Sequence, residues 1–298
     1  SEDAPNTELG KSQHETCLHL VRSLARDPRK SCVLVFVAGM ADIVDLTEKF
    51  ESANLGGFSG PRRFDLVPVH SEIAHEEQLK AFESAEEGFF KVVIATNSAE
   101  SSVTLADCDD VIDLGTHKAL RYDAASHRAV LAPAWVSRAS ATQRAGRTGR
   151  VRPGRCWRLY SRQRFELLRP YELSEIHRQP LDAVVLNLRS MLDAPVGPML
   201  AQTLEPPAAD HVGRSLTALR KQGFLTEPRG DAKAAQYYDW EDTNGDPAAA
   251  RRAAEALEGL LTPQGRFVAL IGVDLRLGRV IAVGNALGCG PVVAAAAA

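Results

Sequence analysis

No stretch of this 298-residue chain approaches the ~20 consecutive apolar residues that would cross a bilayer. Its acidic start, Ser1-Glu2-Asp3, has neither the positive nor the apolar segment of a secretory leader. A Cys-x-x-Cys pair is also missing. The five cysteines (Cys17, Cys32, Cys108, Cys156, Cys289) are odd in number and widely spaced, so neither a disulfide framework nor a zinc site is suggested. They read as reduced core thiols of an intracellular protein, nuclear or cytoplasmic, and no metal-ligating residues are expected. A phosphate-binding P-loop is absent too. Gly10-Lys11-Ser12 imitates its end, but the first glycine of that motif would fall on Pro5, and no strand precedes it. There is no excess of positive charge either: the net charge is −3, which argues against indiscriminate attachment to polyanions. With 45% hydrophobic and 24% charged residues the chain belongs with globular proteins, and its length allows two domains.

What is present is local. From Arg138 to Arg169 there are ten arginines and one acidic residue, Glu166. A basic belt on an otherwise acidic chain points to a polyanion held at one place, either a nucleotide or a nucleic-acid backbone. Within it, residues 143–150 read Gln143-Arg144-Ala145-Gly146-Arg147-Thr148-Gly149-Arg150. Guanidinium groups grip phosphate oxygens with a planar, permanently charged fork, and the small residues between them allow close backbone approach. Arg147 and Arg150, three apart, are expected on one face of a helix, with Arg144 pointing away from it.

Five short apolar runs have strand length and β-branched or aromatic content: Val33–Val37, Leu66–Val69, Val92–Ala95, Val111–Leu114 and Cys156–Tyr160. Helix-period segments lie between them, at 41–51 with Ile43, Leu46 and Phe50 on one stripe, and at 75–85 with Leu79 and Phe82. This alternation predicts an α/β fold, a parallel sheet with helices on both faces, in which ligands bind off the carboxyl ends of the strands. Gly39, His70-Ser71 and Thr96-Asn97 fall there. Asp113 ends an apolar strand without an acidic neighbour after it, which favours a structural role. Beyond residue 170 the pattern turns mostly helical. Pro180 opens a helix with Leu181, Val184, Val185 and Leu188, and Val212, Leu216 and Leu219 mark another that stops at Gly223. Phe224–Thr226 reads as a short strand and 228–256 as a polar, Ala-rich insertion with a helical end. Thr262 is expected to cap a helix with Pro263 in its first turn, and Leu275–Leu287 gives one more, ended by Gly288.

Taken in order, Val33–Gly39, Val69-His70-Ser71-Glu72-Ile73-Ala74-His75-Glu76-Glu77-Gln78, Lys91–Leu105 and Gln143–Arg150 resemble motifs IV, IVa, V and VI of DEAH-box superfamily 2 RNA helicases. The second segment is most similar to the RNA helicase A subgroup. Leu261-Thr262-Pro263-Gln264-Gly265-Arg266 and Val273–Arg279 resemble the end of that group's winged-helix domain and the start of its ratchet domain. The resemblance implies a disordered or linker N-terminus at 1–13, a second RecA-like domain at 14–170, a winged helix at 171–274 that includes the 228–256 insertion, and the start of a truncated helical domain at 275–298. It also implies the C-terminal motor half of an ATP-dependent RNA helicase. The first RecA-like domain, which carries the P-loop and the Asp-Glu-x-His motif, is missing, so this chain alone is expected to be inactive.

Carried over by resemblance, Arg147 and Arg150 would reach the β- and γ-phosphates of ATP or another nucleoside triphosphate, whose Mg²⁺ is held mainly by the missing domain. Gln143 would orient the attacking water. Ser102 and Thr104 would sense the γ-phosphate, and Phe82 would stack on the base; the plainer reading of Phe82 is a residue packed inward beside Leu79. The acidic residue that meets the ribose in the group falls on Ala106 here, leaving Asp107, one position late, as the candidate. Gly39, His70, Ser71, Thr96 and Asn97 would grip single-stranded RNA by its backbone, without reading sequence. Residues 117–136, turning at Tyr122–Ser126, resemble the group's β-hairpin. Some members of the group work with a protein activator. A competing reading is a non-catalytic RNA-binding or scaffold module, against which Gln143 counts, since RNA binding needs no water-positioning glutamine.

Overall fold

The computed structural model describes residues 5, 7–55, 62–102, 105, 107–123, 125–126, 128–149, 153–192, 194–229 and 247–297. Helix α1 (Thr7–Leu24) leads into β1 (Cys32–Phe36), and the chain then alternates through α2 (Met40–Leu55), β2 (Arg63–Val69), α3 (His75–Leu79), β3 (Phe89–Ala95), α4 (Ala99–Ser102) and β4 (Cys108–Asp113). The hairpin β5 (Thr116–Asp123) and β6 (Arg128–Trp135) interrupts before α5 (Arg138–Ala145), β7 (Arg155–Arg158) and α6 (Arg162–Leu167). The five expected strands form one sheet in the order β2-β3-β1-β4-β7, all pairs parallel. Two compact units result, one of Ser1–Leu120 and Leu131–Leu173, the other of Arg121–Val130 and Ser174–Ala298.

Every residue of the central strand β1 is buried, as a strand covered on both faces requires. Because successive side chains alternate across a strand, Val33 and Val35 join α1 and α2 in one core through Cys17, Val21, Ile43, Leu46 and Phe50. Leu34 and Phe36 join the opposite core with Val67, Val93 and Val111. The expected stripe Ile43, Leu46, Phe50 is thus the buried face of α2. The stripe at 75–85 is not: the α-helix stops at Leu79, a single 3₁₀ turn covers Lys80–Phe82, and only Ala81 is buried there. The change of period turns Phe82 outward, leaving it 50% exposed, so it does not pack inward.

Residues 1–13 are not all linker, since α1 begins at Thr7. Gln13 is buried and its amide donates to Leu114 O (2.9 Å) and Leu159 O (2.7 Å), fastening the helix to the sheet. The next residue, the buried His14, sits between Asp45 (2.5 Å) and Asp42 (3.4 Å) of α2. The thiols are free, with Cys17, Cys32 and Cys108 buried, but Cys156 is half-buried and Cys289 exposed beyond Gly288, so not all five are core residues.

The second unit packs α7 (Asp182–Met191), α8 (Val196–Ala201), α9 (Ala209–Lys221), α10 (Pro247–Glu258), α11 (Pro263–Ile271), α12 (Leu275–Ala286) and α13 (Gly290–Ala297). Leu181, Val185, Leu186, Leu216, Leu219 and Phe224 lie in its core. Leu186 takes the place expected of Val184, which is 43% exposed. Phe224–Thr226 forms a single antiparallel bridge, Leu225 with Leu261, not a strand. Residues 230–246 of the insertion lie outside the described residues, and its helical end is α10. The Glu258 carboxylate accepts from Val196 N and Gly197 N (both 2.9 Å), capping α8. Thr262 caps α11 by accepting from Gly265 N at 3.0 Å. The hairpin tip belongs to this unit: Tyr122 stacks on His211 with ring centroids 4.0 Å apart.

Burial opposes charging of the His14 ring, but its hydrogen bonds to Asp42 and Asp45 and their negative charge outweigh it, so its pKa lies above the ordinary 6.5. The charged ring therefore favours the folded chain. That stabilisation is complete below the ordinary value and is lost as pH rises through the folded one. The stability difference between wild type and His14→Gln, read from urea midpoints, is expected to be larger at about pH 5.5 than at about pH 8.5. An equal difference at both would contradict this assignment.

Candidate functional site

Strand order decides which loops meet. Since β2, β3 and β1 are adjacent, the residues leaving their carboxyl ends, His70-Ser71, Thr96-Asn97 and Gly39, form one edge with neighbouring strands ~4.8 Å apart. Gly39 N–H donates to Asp42 Oδ2 (3.0 Å) at the start of α2. His70 Nδ1 accepts from Glu72 N (3.1 Å), which leaves Nε2 to donate. Thr96 is buried with its hydroxyl 3.1 Å from that of Ser98, whereas Ser71 and Asn97 are exposed. The structure adds one cation that the sequence reading missed. Lys118, at the start of the hairpin, lies over Gly39, so that a Cβ there would come within 2.7 Å of its Cε. No local pattern marks it, because β4 beside β1 brings it there.

The arginine run lies at the opposite edge. Ser137 caps α5 by accepting from Ser140 N, and the helix ends at Ala145 with Gly146 as its cap. Arg147 therefore lies beyond the end of the helix and not on its face, contrary to expectation. The chain turns instead: Gly149 has φ +80°, and the Thr148 hydroxyl donates to Cys108 O (2.9 Å) and Asp109 O (3.0 Å), at the amino end of β4. Gly154 packs so closely on this turn that a Cβ would lie 1.9 Å from Thr148 Oγ1. Gln143 is exposed, and Arg147 is half-buried with its Nε donating to Gln143 O (3.3 Å). Arg150 lies outside the described residues. So does Thr104, and of Ser102, which closes α4, only the backbone is described.

Two more candidates converge on this amino-end edge through Lys91. That lysine is 1% exposed and pairs with Asp107 at 2.9 Å. It also donates to the carbonyls of Ala81 (3.1 Å) and Glu83, which flank Phe82. Asp107 thus belongs to an internal ion pair. The same pair fixes the turn that presents Phe82 to solvent.

Arg144, set aside from the clamp, is the largest fully buried side chain among the described residues. It donates from Nε to Glu100 (2.7 Å) on α4 and from Nη1 to Asp113 (2.8 Å) and Thr116 O (3.2 Å), and its guanidinium lies 4.9 Å from the Phe36 ring centroid. Glu100 also accepts from the Ser140 hydroxyl at 2.7 Å. Burial works against the Arg144 charge, but Asp113 and Glu100 outweigh it and raise its pKa. Asp113 further accepts from Tyr160 Oη (2.9 Å) and Gly115 N (2.9 Å), so its role is structural. Among the described residues no group of three His, Cys, Asp or Glu is placed to hold a metal ion.

Comparison with known proteins meets this geometry. The helicase conserved C-terminal domain family matches residues 15–152. The DExH-box ATP-dependent RNA helicase DExH4, chloroplastic, of Arabidopsis thaliana is 36% identical over 270 residues, 90% of this chain and 17% of that protein. The ATP-dependent RNA helicase DHX29 of Homo sapiens is 32% identical over 285 residues, 94% of this chain and 18% of that protein. The chain therefore spans under a fifth of the length of these two relatives. The crystal structure of the E. coli DExH-box NTPase HrpB shares the fold, with a TM-score of 0.68 and 24% identity over 91% of this chain and 28% of that one.

Removing one member of a buried ion network strands the charge opposite it. Glu100→Ala is expected to cost on the order of 3 kcal/mol in urea unfolding. Glu166→Ala, which breaks the exposed pair with Arg162 (3.2 Å), should cost about 0.5 kcal/mol. Similar losses for the two would show that the Arg144 network contributes no more than a surface pair.

Proposed function

The chain belongs to the DExH/DEAH-box helicases of superfamily 2, and on that footing we propose that it is the C-terminal motor half of an ATP-dependent RNA helicase. A nucleoside triphosphate binds against the arginine turn and is closed in by a first RecA-like domain supplied by the rest of the protein. Arg147 and Arg150 hold the β- and γ-phosphate oxygens and spread the charge that builds up during phosphoryl transfer. Arginines in this role contribute about 10³–10⁵ in rate. Gln143 both donates and accepts hydrogen bonds, as a residue that orients the attacking water must. Ser102 and Thr104 report the γ-phosphate, and the exposed ring of Phe82 stacks on the base, tolerating any base because each has a π-face. RNA lies along the carboxyl edge on Gly39, His70, Ser71, Thr96 and Asn97, gripped by its phosphates.

Helix α4 supports this reading most directly. It starts beside Thr96-Asn97 at the RNA edge and ends at Ser102, and between them Glu100 is bonded to Ser140 and Arg144 of the helix that carries Gln143. A displacement at Thr96-Asn97 would thus reach α5 through the Glu100 hydrogen bonds. Magnesium would accompany the nucleotide, but the guanidinium groups of Arg147 and Arg150 are cationic donors that bind phosphate and repel a cation. The residues of this chain do not fit the metal, which falls to the first domain, and no step here runs through it.

The chain alone is expected to show no ATP turnover, and joining it to a first domain that carries the P-loop is expected to give RNA-stimulated turnover. In that joined protein Arg147→Ala should lower kcat by about 10³ or more while nucleotide affinity changes little. Turnover by the isolated chain would refute the two-domain cleft. A joined protein that binds RNA and never hydrolyses ATP would favour the scaffold reading.

A further inference from the structure

The RNA track proposed above uses the exits of three strands, yet the sheet has five. The other two exits carry groups that no motif accounts for. Following the carboxyl edge from Gly39, the next exit is that of β4 at Gly115. Tyr160 lies over it so closely that a Cβ on Gly115 would come within 2.5 Å of its ring. Tyr160 meets Trp135 edge-on, with centroids 6.1 Å apart. Over Trp135, at 4.9 Å from the ring centroid, lies the guanidinium of Arg164, and Arg158 lies 4.3 Å over Phe165. These arginines belong to the end of β7 and to α6, which leaves that strand's carboxyl end. The exposed Arg162 stands on the same helix, with only its surface pair to Glu166.

Three features distinguish this surface from scattered solvated arginines. Among the described residues Arg158 and Arg164 have no carboxylate partner, although the chain as a whole is acidic. Both guanidinium carbons lie close to an aromatic ring centroid, at 4.3 and 4.9 Å, which restrains these side chains and lowers the entropy lost when they bind. Finally, the surface continues an edge already assigned: five strands ~4.8 Å apart carry it about 19 Å from β2 to β7.

We propose that Arg158, Arg162 and Arg164 form a second contact for the single-stranded RNA backbone, extending the track from the β2-β3-β1 exits across β4 to α6. The inference rests on the RNA reading of those exits. RNA is favoured over an acidic protein segment because a guanidinium lying on a ring offers a flat outer cationic face. A base can stack on that face while the fork reaches a phosphate, whereas a carboxylate uses only the fork.

The test measures binding of this chain to oligouridylates of about 4 and about 12 nucleotides, across the range of ssRNA site sizes, by fluorescence anisotropy at several salt concentrations. Arg158→Ala/Arg162→Ala/Arg164→Ala is expected to weaken the long oligonucleotide about 10-fold or more. It should also flatten log K against log salt by about 2, from three lost phosphate contacts at about 0.7 each. Affinity for the short one should not change. Arg26→Ala/Arg29→Ala/Arg63→Ala removes the same charge at the amino edge and should alter neither.

A second variant, Arg158→Lys/Arg164→Lys, guards against unfolding of α6: it keeps the charge and salt slope but should lose the stacking share of long-oligonucleotide affinity. An unchanged affinity of the triple variant for the long RNA, or equal losses for both lengths, overturns the extension while leaving the three-exit track. Loss of poly-glutamate binding with RNA binding intact assigns the surface to an acidic protein and also overturns it. If the wild-type chain binds neither RNA, the RNA reading of the exits fails and this inference with it.

Discussion

One buried guanidinium holds the first unit in register. Arg144 leaves the last turn of α5 and enters the sheet, where Glu100 and Asp113 neutralise it and the face of Phe36 supports it. Without these partners a charge of this kind would not be tolerated inside; with them it joins α4, the exit of β4, the start of the hairpin and α5 at a single point. A buried ion pair is weak evidence of stability, since apolar residues could fill the same space. Its value is geometric: few directions satisfy a planar fork, so α4 and α5 have one relation to each other.

That relation matters because the unit presents chemistry on two opposite edges. At the carboxyl ends of the strands lie a glycine, hydroxyls, an amide, an imidazole and Lys118, which suit a chain of phosphates. At the amino ends lie the arginine turn anchored by Thr148 on β4, Gln143, and the exposed ring of Phe82. Lys91 and Asp107 use an internal ion pair in the same way, to fix the turn that presents Phe82. Both networks spend charged residues on position.

Much of this was legible in the sequence, for identifiable reasons. The five strands were readable because a parallel sheet covered on both faces demands continuous apolar runs, and α2 because its buried stripe repeats at 3.6 residues. The caps at Thr262 and Gly288 were readable because capping is local chemistry. The turn at Lys80–Phe82 was not, since two side chains three apart suit an α-helix and a 3₁₀ turn alike. Nor was the end of α5: two arginines three apart imply a helical face only while the helix continues, and Gly146 stops it.

Apolar periodicity and motif spacing, being properties of neighbours in the chain, were enough to set the order of the strands along the chain, the residues that leave their carboxyl ends and the family to which they belong. Tertiary structure alone decided that Asp107 serves Lys91, that Lys118 covers Gly39, and that the arginine turn and the strand exits lie on opposite edges. Each of those depends on which strands lie side by side. The strand order β2-β3-β1-β4-β7 is a choice made by the packing of the whole sheet, which no local pattern encodes.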